Sequence, residues 1–162
     1  MACRGVHFAI TQEYVARLEA APGDDARLLI LEEIEEKWDE QWLYQTDKAW
    51  DAIHRCLTDG KLEYDNGEYP YGLCILGGQL LYSKSDYIIS LKNPAQVKDV
   101  ALALSKINKN LFYQRYVNLA KDYGGDLSDG DFEYSWDWFK GLDSFFAKAA
   151  EATRYVVFTV DQ

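Results

Sequence analysis

Strand-like segments stand at both ends of the chain, with helical spacings between them, and this order constrains the fold most. Val6, Phe8 and Ile10 alternate with more polar neighbours, the period of a strand with one buried face. Residues 155–160 are β-branched and aromatic, which predicts a closing strand. This order predicts an α+β fold in which a small mixed sheet is covered by several helices.

Helical spacing recurs in six segments between the terminal strands. They run from Thr11 to Pro22, Asp24 to Trp38, Thr46 to Gly60, Asn93 to Ile107, Phe112 to Tyr123, and from about residue 134 to Ala149. Asn93-Pro94 gives the clearest start signal, a cap followed by proline at the first helical position. Residues 61–72 predict an exposed loop or irregular hairpin, Gly77-Gly78 a turn, and Asp86 to Leu91 a further strand.

Length and composition favour one folded domain over residues 1–162. The chain has 162 residues, of which 48% are hydrophobic, so burial can offset the entropy of ordering. The apolar run from Val6 to Ile10 is too short for a signal peptide or a membrane span, and we expect a cytoplasmic protein. Cys3, Cys56 and Cys74 are far apart, which favours buried or partly buried thiols over a disulfide framework or zinc site.

The formal charge of −10 narrows the choice of partner. A surface of this sign repels phosphate backbones and anionic membranes, so direct binding to nucleic acid or membrane is disfavoured. It also speeds encounter with basic partners, although simple solubility accounts for the charge equally well.

Asp51 and His54 form the most tempting catalytic pair. They lie three residues apart on a predicted helix, where a carboxylate could orient a histidine base. Arg55, four residues from Asp51, offers a surface ion pair instead, and no serine or cysteine nucleophile motif accompanies the pair. We therefore predict no catalytic residue, with Asp51 and His54 as the candidates to test.

Neither a metal nor a cofactor is expected. His7 lies on the second face of the first strand and reads as a structural histidine, since the other histidine has no ligand-like spacing to it. An EF-hand counted from Asp126 would need an oxygen ligand at its fifth position and glycine at its sixth, but the sequence has Gly130 and Asp131. The acidic segment is better read as a polar, helix-capping loop.

Acidic residues interleaved with tryptophan and tyrosine suggest a protein interface with aromatic anchors in a negative field. The alternative is ordinary aromatic packing of helices on a sheet. The candidate partner-binding residues are Trp38, Asp39, Glu40, Trp42, Tyr64, Asp65, Tyr69, Asp126, Asp129, Asp131, Glu133 and Trp136.

Several segments together resemble the uncharacterised bacterial YfbM-like proteins. They are the first strand with Arg4, residues 47–58, the turn at residues 76–78, and the strand at Tyr87 leading into a helix. The resemblance spans nearly the whole chain and implies an α+β fold with no established catalytic residues. The tyrosine-rich residues 63–71 and the acidic loop near Asp126 match no feature of that family.

These features favour a non-enzymatic protein-binding domain, such as an immunity protein that neutralises a basic bacterial toxin. One alternative is a small hydrolase or transferase using Asp51 and His54. Another is a housekeeping domain that associates with itself through its aromatic segments, since the oligomeric state is left open by the sequence.

Overall fold

The computed structural model describes residues 3–84, 86–119 and 121–161. Five antiparallel strands form one sheet in the order β2-β1-β5-β4-β3. The strands are β1 (Gly5–Ile10), β2 (Leu43–Asp47), β3 (Gln79–Lys84), β4 (Tyr87–Lys92) and β5 (Tyr155–Asp161). The helices are α1 (Gln12–Ala20), α2 (Asp24–Lys37), α3 (Trp50–Leu57), α4 (Pro94–Leu104), α5 (Lys109–Tyr116), α6 (Asp129–Phe139) and α7 (Leu142–Glu151).

Helices cover both faces of the sheet, which explains why all six residues of β1 are buried. On one face, Val6, Phe8 and Ile10 pack with the apolar residues of α1 and α2. On the other, Val156 and Phe158 of β5 belong to a larger core that includes residues of α3 to α7. The α+β class is therefore confirmed, and the terminal strands lie side by side at the centre of the sheet.

Local signals place the helix ends that shape the functional surface. Asn93 caps α4 through a reciprocal capping box with Gln96, so this predicted start is confirmed. Ser128 caps α6 by accepting a hydrogen bond from the backbone N–H of Asp131. The acidic segment thus caps a helix as expected, but the helix already begins at Asp129, so residues 129–133 are helical and not loop. Gly77 and Gly78 have φ angles of 82° and 78°, and a Cβ on Gly78 would lie 2.5 Å from the Leu91 carbonyl oxygen.

Two strands were missing from the sequence prediction. The helix expected from Thr46 begins only at Trp50, because residues 43–47 pair with β1 as an edge strand. Strand β3 was also missed, and it forms the opposite edge. The sheet was predicted to be mixed, but all four described pairs of neighbouring strands are antiparallel.

Two predicted helices are shorter than expected. The helix placed from Phe112 to Tyr123 ends at Tyr116, and the long C-terminal helix is divided into α6 and α7. The break falls at Gly141, where a Cβ would lie 2.7 Å from the Tyr44 hydroxyl oxygen. That hydroxyl donates to the Trp138 carbonyl at 2.7 Å and accepts from the Gly141 N–H at 3.2 Å, so it satisfies backbone groups at the break.

Within the described ranges, none of the helices is long and apolar enough to cross a membrane.

Candidate partner-binding cleft

The candidate partner-binding residues are distributed over three surfaces and the core. Trp38, Asp39, Glu40 and Trp42 lie in the segment between α2 and β2. Tyr64, Asp65 and Tyr69 lie in the loop after α3, and the remaining five lie in α6 or just before it. The sequence pattern thus combined three separate surfaces into one prediction.

Trp136 belongs to the aromatic core. Its ring lies 5.7 Å from that of Phe112 and 5.6 Å from that of Phe139, and these two phenylalanines stack at 4.8 Å between centroids. Trp136 is only partly exposed, so packing accounts for most of its surface. By contrast, Asp126, Asp129 and Glu133 are exposed around the first turns of α6.

A cleft joins the start of α3, the segment before α6, and α6 itself. We call it the acid–tyrosine cleft, and it has a volume of about 300 Å³. Its lining residues are Lys48, Ala49, Asp51, Tyr123, Gly124, Gly125, Asp131, Tyr134 and Ser135. Asp51 of the suggested catalytic pair and Asp131 of the suggested interface therefore line the same cleft, although they lie on different helices.

Tyrosine hydroxyls hold the carboxylates of this cleft. Tyr116 and Tyr123 both donate to Oδ2 of Asp131, the latter at 2.8 Å. Tyr134, a lining residue, donates to Oδ2 of Asp47 at 2.6 Å. Asp47 itself is not part of the lining. Two carboxylates near the cleft are therefore fixed by directed hydrogen bonds from tyrosines.

The same contacts contribute to raising the pKa values of the three tyrosine hydroxyls. Burial, followed by the hydrogen bond to Asp131, raises the pKa of Tyr116 and of Tyr123 well above the ordinary tyrosine value. Burial and the hydrogen bond to Asp47 raise the pKa of Tyr134 to about 12. All three hydroxyls thus stay protonated at neutral pH and act as donors to the carboxylates.

Ion pairs balance only part of this negative surface. Arg55 donates to Asp51 at 2.5 Å and contacts Asp122 at 3.2 Å. Arg4 lies 3.3 Å from Asp47. Asp131 takes part in none of the ion pairs found in residues 3–84, 86–119 and 121–161. Lys48 is exposed at the same cleft and offsets one negative charge.

The structure does not assemble Asp51 and His54 as a catalytic pair. His54 is 1% exposed, and its Nε2 lies 2.8 Å from the Glu63 carbonyl oxygen and 2.7 Å from Oδ1 of Asn66. Asp51 instead accepts from Arg55, the ion pair that the four-residue spacing also predicts. Burial lowers the pKa of His54, so a neutral ring ties α3 to the following loop.

A buried polar cluster was not anticipated from the sequence. Lys92 is fully buried, and its Nζ donates to the Ile75 carbonyl and, at 2.6 Å, to the Ser90 hydroxyl. His7 is equally buried, with Nε2 2.9 Å from the Cys74 carbonyl oxygen. Burial lowers the pKa of Lys92 to about 7 and that of His7 to about 3.

His7 and Lys92 hydrogen-bond to the backbone of residues 74–75, which lie outside the helices and strands. The carbonyls of residues 74 and 75 are not paired within the sheet, and His7 and Lys92 satisfy them from β1 and β4. His7 was predicted as a structural histidine, and its hydrogen bond and the surrounding Phe145, Phe146 and Phe158 rings agree with that role. In the described portion of the chain, no group of three or more His, Cys, Asp or Glu side chains is arranged to hold a metal ion.

Sequence reasoning missed Asp47, Tyr116, Tyr123 and Tyr134 as members of the acidic surface. Asp47 and Tyr134 lie in residues 36–47 and 126–138, two segments in which acidic and aromatic residues are interleaved, so the composition was an available signal for both. Tyr116 and Tyr123 were assigned to one apolar helix face, and nothing in their spacing indicates that both reach Asp131.

The fold and cleft define a class: α+β domains with an antiparallel sheet between two helical layers. The chain belongs to the family described as "Domain of unknown function (DUF1877)", whose model matches residues 1–159. Its structure is similar to that of YfbM from Escherichia coli, a protein of unknown function, at 18% identity and a TM-score of 0.72, covering 99% of each chain. The resemblance to YfbM-like proteins is thus confirmed. No curated protein matches the sequence.

Proposed function

We propose that this chain is a cytoplasmic, non-enzymatic protein-binding domain whose acid–tyrosine cleft receives basic side chains of a partner. We further propose that the partner is a basic bacterial toxin and that the chain acts as its immunity protein. The formal charge of −10 supports a basic partner, because opposite charge accelerates encounter.

The observation that carries the proposal is the fixing of acidic side chains by tyrosines. Asp131, half-buried and held by two hydroxyls, is already ordered before a partner arrives. An incoming lysine or arginine then meets an acceptor that loses little further freedom on binding. Exposed Asp126 and Asp129 extend the negative field beside it.

Tyr134 adds an exposed aromatic ring beside the acidic residues of the cleft. Tyr134 is 37% exposed and packs edge-on against Trp138, at 6.4 Å between ring centroids. An exposed ring beside fixed carboxylates suits the guanidinium of arginine, which pairs with carboxylates and stacks on aromatic faces. This combination supports recognition of a basic protein surface.

The experiment is affinity capture from the native host with three forms of the chain. The wild type is compared with Asp47→Asn/Asp131→Asn and with Asp137→Asn, a control that removes a charge from α6 outside the cleft lining. Asn suits position 47 because Asp47 has a φ of 46°, in the left-handed region that Asn tolerates. All three forms are first compared by thermal melting.

The proposal predicts a basic protein retained by the wild type and by Asp137→Asn and lost from the double variant. Expression of that protein alone should arrest growth, and co-expression of the wild-type chain should restore it. Capture of no basic protein, equal capture by all three forms, or a captured protein without toxicity would each contradict the corresponding part of the proposal.

A further inference from the structure

A second pocket lies at the end of β1 and shares no residue with the acid–tyrosine cleft. We propose that it binds a small ligand carrying a carboxylate and a short apolar group. We call it the Trp42 pocket, and its lining includes Ile10, Tyr14, Ile34, Lys37, Trp42 and Arg154. This binding activity goes beyond recognition of a protein partner.

The size of the pocket fits a small organic molecule. Its volume is about 120 Å³. An engineered cavity of about 150 Å³ in another protein holds benzene, so this space suits a ligand of comparable size. Buried Ile10 and Ile34 give it an apolar wall, and Tyr14 adds an aromatic edge.

Arg154 provides an oriented cation in this pocket. Its guanidinium carbon lies 3.6 Å from the centroid of the Trp42 ring, and its Nη1 donates to the Ala9 carbonyl at 3.1 Å. Stacking and hydrogen bonding together fix the plane of the group. Because a guanidinium has five N–H donors in a planar fork, donors remain for a carboxylate after the contact with Ala9.

The local charge is opposite in sign to that of the whole chain. Lys37 and Arg154 both line the pocket, against one acid, Asp39. The Asp39 carboxylate is engaged by the backbone N–H of Gln41 at 3.2 Å. Thr11, the N-terminal cap residue of α1, also lines the pocket without making a side-chain capping hydrogen bond. The two cations beside an apolar wall therefore favour a carboxylate joined to a short hydrocarbon.

The test is a ¹H–¹⁵N NMR titration of the full chain at constant ionic strength. The probes are sodium butyrate and sodium benzoate, with butyramide as the neutral match of butyrate and inorganic phosphate as an anion without a hydrocarbon part. We expect butyrate or benzoate to shift the Trp42 indole N–H and backbone signals of residues 9–14, with millimolar affinity typical of so small a ligand, about 1–10 mM. Butyramide should bind at least about tenfold more weakly, because it lacks the charge that the arginine fork recognises.

Two variants and a matched control localise the binding. Lys37→Gln removes an exposed cation of the pocket and should weaken butyrate binding about 3- to 10-fold. Arg154→Lys keeps the charge but removes the fork, and should weaken it about tenfold. Lys106→Gln removes an exposed charge elsewhere and should leave the affinity unchanged.

The proposal is overturned if neither carboxylate shifts these signals, or if the shifts spread over the surface and respond equally to Lys106→Gln and Lys37→Gln. Binding of butyramide as tight as that of butyrate would also overturn it. Binding of phosphate without binding of either carboxylate would refute the assigned ligand class.

Discussion

Replacing Lys92 by methionine tests whether a buried amine with a lowered pKa is part of the native core. Lys92 is 0% exposed and stands beside Ser90, Ile75 and the ring of Phe158, with its Nζ 5.6 Å from the ring centroid. Cys74 is the titratable group that acts on it, and burial raises the pKa of that thiol to about 12. Burial and, to a smaller extent, the positive charge of Lys92 lower the pKa of His7 to about 3.

The sign of the pH effect follows from the pKa values. Burial lowers the pKa of Lys92 from 10.5 to about 7 in the folded chain, while the unfolded chain keeps the ordinary value. Between these two values the unfolded state binds more protons, so the free energy of unfolding rises with pH. Integrating this difference from pH 7 to pH 9 gives a gain of about 2 kcal/mol from Lys92 alone.

Urea unfolding of the wild type and Lys92→Met at pH 7, 8 and 9 measures this gain. Cys56 titrates in both proteins without a contribution from Lys92, so its effect cancels in the difference between the two pH profiles. The part of the Cys74 shift that is due to burial cancels as well, and the part due to the charge of Lys92 belongs to the difference being measured. We expect the wild type to gain about 2 kcal/mol more than Lys92→Met, with Lys98→Met, an exposed match, behaving as the wild type. Parallel profiles for the wild type and Lys92→Met would refute the lowered pKa of Lys92, as would an NMR pKa near 10 for its amine in the wild type.

Three further substitutions test the packing and capping that position the functional surfaces. Asn93→Ala removes the capping box of α4 and should cost about 1 kcal/mol in urea unfolding, whereas no loss would show that the cap contributes little. Phe112→Ala empties the centre of the aromatic core under α6 and should cost about 3–5 kcal/mol, a value that a loss below 1 kcal/mol would contradict. His54→Gln should lower the free energy of unfolding by about 2 kcal/mol, because His54 joins α3 to Glu63 and Asn66; an unchanged melting point would reopen a catalytic role.

The sequence predicted those elements whose signals are local. The Asn93-Pro94 start and the strand at β1 depend on neighbouring residues, and both are confirmed. The single buried face that the alternation in β1 suggested is wrong, because helices cover both faces of the sheet. Strand β2 was lost because Thr46 and Asp47 also read as a helix cap and first turn, and only pairing with β1 decides between the two. The helix break at Gly141 could not be predicted from neighbouring residues. The space for a side chain there is limited by Tyr44, which is distant in the chain.

The candidate surface was predictable in composition but not in arrangement. The acidic segment near Asp131 was identified from the sequence. The tyrosines that donate to Asp131, Tyr116 and Tyr123, lie outside that segment. Trp42 was proposed as a partner-binding residue, but the structure places Arg154 against its ring, a contact between residues far apart in sequence. Contacts of this kind depend on the packing of α7 and β5, which a single sequence does not specify.

The most direct test of the central claim is the affinity of the captured basic partner for charge-matched variants, measured by isothermal titration calorimetry. The account predicts that Asp131→Asn, which removes one charge from the cleft, raises the dissociation constant at least about tenfold, equivalent to about 1.4 kcal/mol. Asp137→Asn, on the same helix but outside the cleft lining, should change it less than about threefold. Equal affinities for all three forms would contradict a role of the acid–tyrosine cleft in recognition.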